Sequence, residues 1–530
     1  MKIVLRLFFP LLCMLPIVAT AQTNSYMNNP MVRVTMETYA AMLRENPQDY
    51  TIYYSRGKDY YQYGDYEKAL TDLDAAIRYF PRQEASDLSQ AYTIRGLIYQ
   101  MKGDNSLALS DFNEALVLEP TSRFSLISRA DLLRDMGDYK HAKEDYQQLL
   151  RRDARCQEAY LGLAIIAYKE NNMGLCHENM TKAEQSNPTN VDFYMTRGAI
   201  YEEMGEWRKA ADDYVSAMVY GDNRGSVAAL NKLSAVAYEP VVAALTVAIE
   251  RVDEKGFYYY IRGAIHMNNK HYSASIQDWN TIVEQKYLHF HSVYYNRGFC
   301  YMRLGQFEYA IDDMSTAIRM KGDQMPYYLV RSKVYRILGQ FDKAAEDIAI
   351  AATFDVANPE MLQQRAMLAT EQRNPEEALN HYNEAIMYCA DDASLYLLRG
   401  DTYAALGDAE SAMRNYTMML NVQEEVPAFD TLRGFAMARM GQNADAEVWM
   451  EQVMMSLQGV PTSDDYYKAA CLYAHTGNFE QAYNYLEQAL KAGYGDYFNL
   501  YFEYDSPISL APLRNEPAFR ELIKSYREMF

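Results

Sequence analysis

From Tyr53 onward, apolar and small residues recur three and four positions apart, the spacing that lines one face of an α-helix. Tyr53, Gly57, Tyr60, Ala69, Leu73, Ala76 and Pro81 form one such pattern, and Tyr92, Gly96, Tyr99, Ala108, Phe112, Ala115 and Pro120 repeat it. Aligned on the small residue, the series continues through Ala130, Ala164, Gly198, Gly263, Gly298, Ser332, Ala366, Gly400, Gly434 and Ala470. The interval is 34 to 36 residues, apart from 39 after the first unit and 65 between Gly198 and Gly263. Gly64, Gly103, Gly137, Gly205, Gly305, Gly339, Gly407, Gly441 and Gly477 fall midway through their units, where one helix must end and the chain reverse. Each unit is therefore expected to be a helix–turn–helix hairpin. One hairpin cannot bury both of its faces, so neighbours must stack.

A 34-residue period carrying a small residue, a tyrosine three positions on, then alanine, an aromatic or leucine, alanine and proline resembles the tetratricopeptide repeat. Twelve recognisable units cover residues 50–494. The resemblance implies an all-α fold, a right-handed superhelical solenoid of stacked hairpins. It divides the chain into an N-terminal half repeat at 22–49, a first array at 50–222, a degenerate repeat at 223–256, a second array at 257–494 and a C-terminal capping segment at 495–530. In that last segment Ala518, Phe519, Leu522, Ile523 and Tyr526 form a stripe suited to sealing the final hairpin.

The chain has 48 tyrosines against 3 tryptophans, and most of the tyrosines keep the beat: Tyr53 and Tyr60 return as Tyr92 and Tyr99, Tyr194 and Tyr201, Tyr294 and Tyr301, Tyr396 and Tyr403. Residues demanded by every unit belong to the scaffold. Ten units also place arginine just before the small residue, and seven of them carry aspartate sixteen residues later: Asp72, Asp111, Asp145, Asp213, Asp278, Asp313 and Asp347. Where arginine gives way to Leu163 and Ala469, the acid gives way too, to Asn179 and Tyr485. The covariation predicts an Arg–Asp bridge inside each hairpin.

The first residues, with Lys2 and Arg6 ahead of apolar Leu7 to Val18 and an Ala19-Thr20-Ala21 cleavage site, read as a signal peptide over 1–21. The expectation is an exported protein, periplasmic or otherwise associated with a bacterial envelope, with no transmembrane segment once the signal is removed. The formal charge of −20 repels phosphate backbones and argues against nucleic acid. Five cysteines beyond the signal, widely spaced and without C-x-x-C, suggest neither a disulfide framework nor a zinc site. His289 and His291 sit close together but lack an evident third ligand. No phosphate loop, H-E-x-x-H or Gly-x-Ser-x-Gly elbow is present, so no cofactor is implied and an enzyme is not expected.

What remains is recognition. In the resembled family the first helices line a concave groove that usually takes an extended peptide or a partner's helix. Carried over unit by unit, with the degenerate repeat counted as the sixth, the groove positions include Tyr260 and Met267 in the seventh unit, and Tyr295, Phe299, Met302 and Arg303 in the eighth. Lys333 and Arg336 follow in the ninth. An apolar-aromatic strip beside three cations suits a peptide with hydrophobic anchors and an acidic end. The competing reading is plain stacking between hairpins. Earlier units place Asp131, Asp135, Asp192, Glu202 and Glu203 on the corresponding surface. Lys58 matches one residue of the family's known carboxylate clamp, but Thr93, Ile94 and Leu97 depart from the rest. The expected function is a non-enzymatic scaffold for a protein or peptide partner. A glycan-contacting solenoid and a subunit of an envelope enzyme are the alternatives, and self-association stays open.

Overall fold

A computed structural model describes residues 29–81, 84–421, 428–457, 461–502 and 506–527. The expected signal peptide lies outside these residues. Among the described residues the regular structure is helical, with helices in consecutive pairs and no strand. Packing divides the chain into two compact units, one ending at Leu233 and the other beginning at Ser234. The division falls within the stretch 223–256 that departs from the repeat.

In the first unit Pro30–Glu45 is a lone helix that buries Met36 and Leu43. Hairpins follow, beginning with Tyr50–Gln62 against Tyr66–Tyr79 and ending with Val191–Glu203 against Trp207–Val219. In the second unit they run from Lys255–Asn268 against Tyr272–Glu284 to Ser463–Thr476 against Phe479–Lys491. Gly400 shows how closely the paired helices approach at the small residue: a Cβ there would lie 2.5 Å from the Tyr416 ring of the opposing helix.

The turn inside each hairpin has one recurring geometry. All nine midway glycines have φ between 69° and 87°. In the three units without that glycine, Asn171, Lys270 and Arg373 take the same left-handed conformation, with φ of 60°, 64° and 60°. In some units the side chain of the next residue caps the second helix, as Asp65 accepts from the backbone of Lys68, Asp138 from His141 and Asn374 from Glu377. A left-handed residue thus stops one helix, and in seven of the twelve units Asp or Asn follows it.

All seven predicted Arg–Asp bridges form within their own hairpins: Arg56–Asp72, Arg95–Asp111, Arg129–Asp145, Arg197–Asp213, Arg262–Asp278, Arg297–Asp313 and Arg331–Asp347. In each, Nε and Nη2 donate side by side to the two carboxylate oxygens at 2.6–2.9 Å. The third nitrogen reaches backward. Nη1 donates to Asp74 from Arg95, Asn113 from Arg129, Glu184 from Arg197, Thr246 from Arg262, Asn280 from Arg297 and Ser315 from Arg331, at 2.7–2.9 Å. The acceptors stand on the second helix of the preceding repeat, so one guanidinium ties three helices.

The tyrosines complete this joint. In five units the guanidinium lies 5.4–6.0 Å from the rings three residues before and four residues after it, as with Arg297 between Tyr294 and Tyr301. The earlier tyrosine also donates its hydroxyl to a carbonyl six residues upstream, Tyr194 to Pro188 at 2.8 Å, Tyr328 to Gly322 at 3.0 Å and Tyr396 to Ala390 at 2.9 Å. Phenylalanine or tryptophan could not make that bond in the same place, which accounts for the bias toward tyrosine.

Candidate functional site

In the second unit the first helices of the seventh, eighth and ninth repeats, Lys255–Asn268, His291–Arg303 and Met325–Ile337, carry the sequence-predicted groove residues. The chain's own tail lies on the second and third of these helices. After the last hairpin, the short helix Tyr497–Tyr501 sits with Phe498 fully buried among Met302, Val334 and Phe299. Arg303 and Lys333 bracket the Phe498 ring, at 5.6 Å and 4.7 Å from its centroid. Phe502, one turn on, meets Phe307 edge-to-face at 4.9 Å.

Asp496 supplies the charge that answers these cations. Its Oδ1 accepts from the backbone N–H of Asn499 at 3.2 Å and so caps the short helix. Its Oδ2 accepts from Arg303 Nη1 at 3.0 Å and from the Tyr272 hydroxyl at 3.4 Å. Arg303 Nη1 also donates to Asn499 Oδ1 at 2.8 Å. The Asp496 carboxylate is 1% exposed, which makes the pair with Arg303 a largely desolvated one. Burial, followed by the charge of Asp496, raises the Tyr272 hydroxyl above its ordinary pKa and keeps it a neutral donor.

Beside this contact, Lys270 pairs with Asp464 on the first helix of the last repeat, and Lys468 joins the same carboxylate at 3.0 Å. Burial alone would raise Asp464, but the two ammonium groups hold it below the usual carboxylate value. Gly495 passes so close to the seventh repeat that a Cβ would lie 3.4 Å from the Lys270 carbonyl oxygen.

The seven predicted site residues therefore divide. Phe299, Met302, Arg303 and Lys333 gather around the tail. Tyr260, Tyr295 and Arg336 join neighbouring hairpins: the Tyr260 hydroxyl donates to Ser292 at 3.3 Å, Tyr295 packs on Tyr327 at 4.7 Å, and buried Arg336 donates to both oxygens of Glu371 at 3.2 Å. Sequence reading missed Tyr272, Phe307 and the tail. The signal was present in "DYFNLYF" at 496–502, an acid followed by aromatics two and six residues later.

Other candidates have internal partners. Asp131 accepts from Arg134 and the Tyr146 hydroxyl, at 2.7 and 2.5 Å, and Asp135 accepts from Arg134 at 2.9 Å. Glu202 accepts from Tyr214 and Lys232, both at 2.9 Å, and Glu203 lies 3.6 Å from Lys169. His291 is hydrogen-bonded to the Tyr327 hydroxyl at 2.5 Å, and among the described residues no group of three His, Cys, Asp or Glu is placed to share a metal ion. Among them, too, no helix is long and apolar enough to cross a membrane.

Tetratricopeptide-repeat family models match residues 54–123, 127–175, 291–324 and 466–492. BBSome complex member BBS4 of Bos taurus is 24% identical over 166 residues, 31% of this chain and 30% of that protein. Tetratricopeptide repeat protein 16 of Homo sapiens is 24% identical over 234 residues, 39% of this chain and 26% of that protein. The chain thus spans less than a third of these curated relatives' length. A solved tetratricopeptide repeat protein from Parabacteroides merdae is 16% identical, covering 57% of this chain and 98% of its own, with a TM-score of 0.35. With its hairpins, joints and matched repeats taken together, the chain is a tetratricopeptide-repeat protein of many repeats, a fold that serves protein–protein interaction.

Proposed function

We propose that this protein is a non-enzymatic adaptor of the bacterial envelope that holds a protein partner by a short peptide segment on the first helices of repeats seven to nine. One observation carries the reading: Arg303, Lys333, Phe299 and Met302 surround a peptide with an acidic group and aromatic anchors, the chain's own residues 496–502. The surface thus has the shape and charge to seat such a segment. The hydrophobic run and small-residue cleavage site at the N-terminus support export.

Affinity capture with the full chain from envelope extract tests it, beside a Phe299→Ala/Arg303→Ala variant whose helical circular dichroism is unchanged. A stoichiometric protein retained by the first and lost by the second is expected. Equal retention by both removes this surface from consideration, and recovery of the tagged chain only in the cytoplasm removes the envelope setting.

A further inference from the structure

Resting on that reading, we infer that residues 496–502 are a displaceable occupant of the surface they cover, and that the partner bound there presents the same chemistry: a carboxylate followed two and six residues later by aromatic rings on one helical turn.

The segment is tied to the chain by buried anchors on both sides. On one side Tyr494, 1% exposed, is stacked on Tyr467 at 4.4 Å. On the other, Leu510, Leu513, Phe519 and Ile523 are buried in the same core as Leu486 and Leu490 of the last hairpin. Both anchors belong to the core at the end of the array, though the Tyr494 ring also lies 5.5 Å from the Lys270 ammonium. Leu500 of the segment is buried in that core and must leave it on displacement. Between the anchors runs a helix of five residues, far too short to persist on its own account. Its hold on the eighth and ninth repeats includes the Asp496–Arg303 pair, the Arg303–Asn499 hydrogen bond and the two rings on one side of the turn, Phe498 and Phe502.

These contacts specify a competitor. A carboxylate must reach Arg303 with Tyr272 at its flank. A ring two residues on must fill the slot between Arg303 and Lys333, and another four residues later must reach Phe307. Because the resident segment is tethered, it competes at an effective concentration in the millimolar range. A free peptide of equal quality is therefore largely excluded from the unaltered chain until it is supplied in excess or presented by a multivalent partner.

The test uses a fluorescent peptide with the sequence of residues 495–502 and the full chain carrying Phe498→Ala and Phe502→Ala. Saturable binding at least about tenfold tighter than to the unaltered chain is expected. Adding Arg303→Ala should weaken it about ten- to a hundredfold, the usual loss for a hydrogen bond to a charged group. No saturable binding to the folded variant, or binding indifferent to Arg303, overturns the inference. Should the variant not fold, hydrogen exchange on the unaltered chain decides: excess peptide should speed exchange at 496–502, and unchanged protection overturns it. A dimer of the unaltered chain that the peptide splits would give the surface to a second copy and also overturn it. Failure of the peptide alongside Arg303-dependent capture of a protein partner sinks this inference alone. Absence of any partner in the capture experiment sinks the reading beneath it.

Discussion

Arg297 shows what a single repeat position contributes. Its side chain is 15% exposed and that of Asp313 8%, so their bidentate pair is largely removed from water. Burial works against the charge, but hydrogen bonds to the Asp313 carboxylate and its negative charge outweigh it and lift the arginine pKa above its ordinary value. Arg399 is the internal control. It donates to neutral Asn415 at 2.7 Å, and burial without a carboxylate leaves its pKa below the ordinary one. Arg297→Ala should cost about 3–5 kcal/mol, because it strands a buried carboxylate. Asp313→Ala should cost somewhat less, since Arg297 keeps Asn280 at 2.9 Å. The double substitution should fall short of the sum by about 1–3 kcal/mol. Urea denaturation of the four proteins checks this, and additive losses would refute a coupled pair. The partnership itself was legible in the sequence, since loss of Arg went with loss of Asp. The backward hydrogen bond was not: its acceptor is Asp, Asn, Glu, Thr or Ser by turns, and no fixed residue type advertises it.

At the scale of the hairpin, the turn is the part most rigidly prescribed. Twelve units put a left-handed residue seven positions after the small one, and glycine fills nine of those places. A side chain there costs about 1–2 kcal/mol, because Cβ crowds the neighbouring carbonyl. Arg373, at φ 60°, bears that strain. Arg373→Gly should therefore raise stability by about 0.5–1 kcal/mol, the strain relieved being partly offset by the greater freedom of glycine in the unfolded chain. A thermal melt of the variant measures it, and a lowered midpoint would contradict the argument. The glycines announced most of these turns. Asn171, Lys270 and Arg373 did not, because their conformation is imposed by the two helices they join and not by their own preference.

On the scale of the second unit, buried histidines set a pH dependence. His266 is 6% exposed, and its Nδ1 is hydrogen-bonded to the Tyr238 hydroxyl at 2.6 Å. Burial, with Arg262 and His271 nearby, lowers its pKa to about 4. Burial and Arg439 bring His475 to about 4 as well, against the opposing pull of Asp401. An imidazole that stays neutral in the folded state takes up protons more readily once unfolded. Its stabilising contribution is thus whole above about pH 6.5 and lost as the pH falls toward 4, and it amounts to at most about 3 kcal/mol for one such group. His266→Gln should flatten the decline of the melting temperature between pH 7 and pH 4.5, and an identical slope would refute the assignment. The tail's resting place was the least legible feature at this scale. Phe299, Met302, Arg303 and Lys333 could be named from the sequence as groove residues, but the segment that lies against them begins 193 residues after Arg303, with no periodic signal to link them.

That distance has a consequence for how the protein can change. A linear array tolerates duplication or loss of a whole repeat, since each unit answers only to its neighbours. Arg303 and Asp496 are 193 residues apart in the chain and yet bonded, so the number of hairpins between them is counted by the bond itself. One more or one fewer would carry Phe498 away from its slot by the width of a hairpin. Copy number in this stretch is therefore fixed by a ruler that the chain carries in its own last residues.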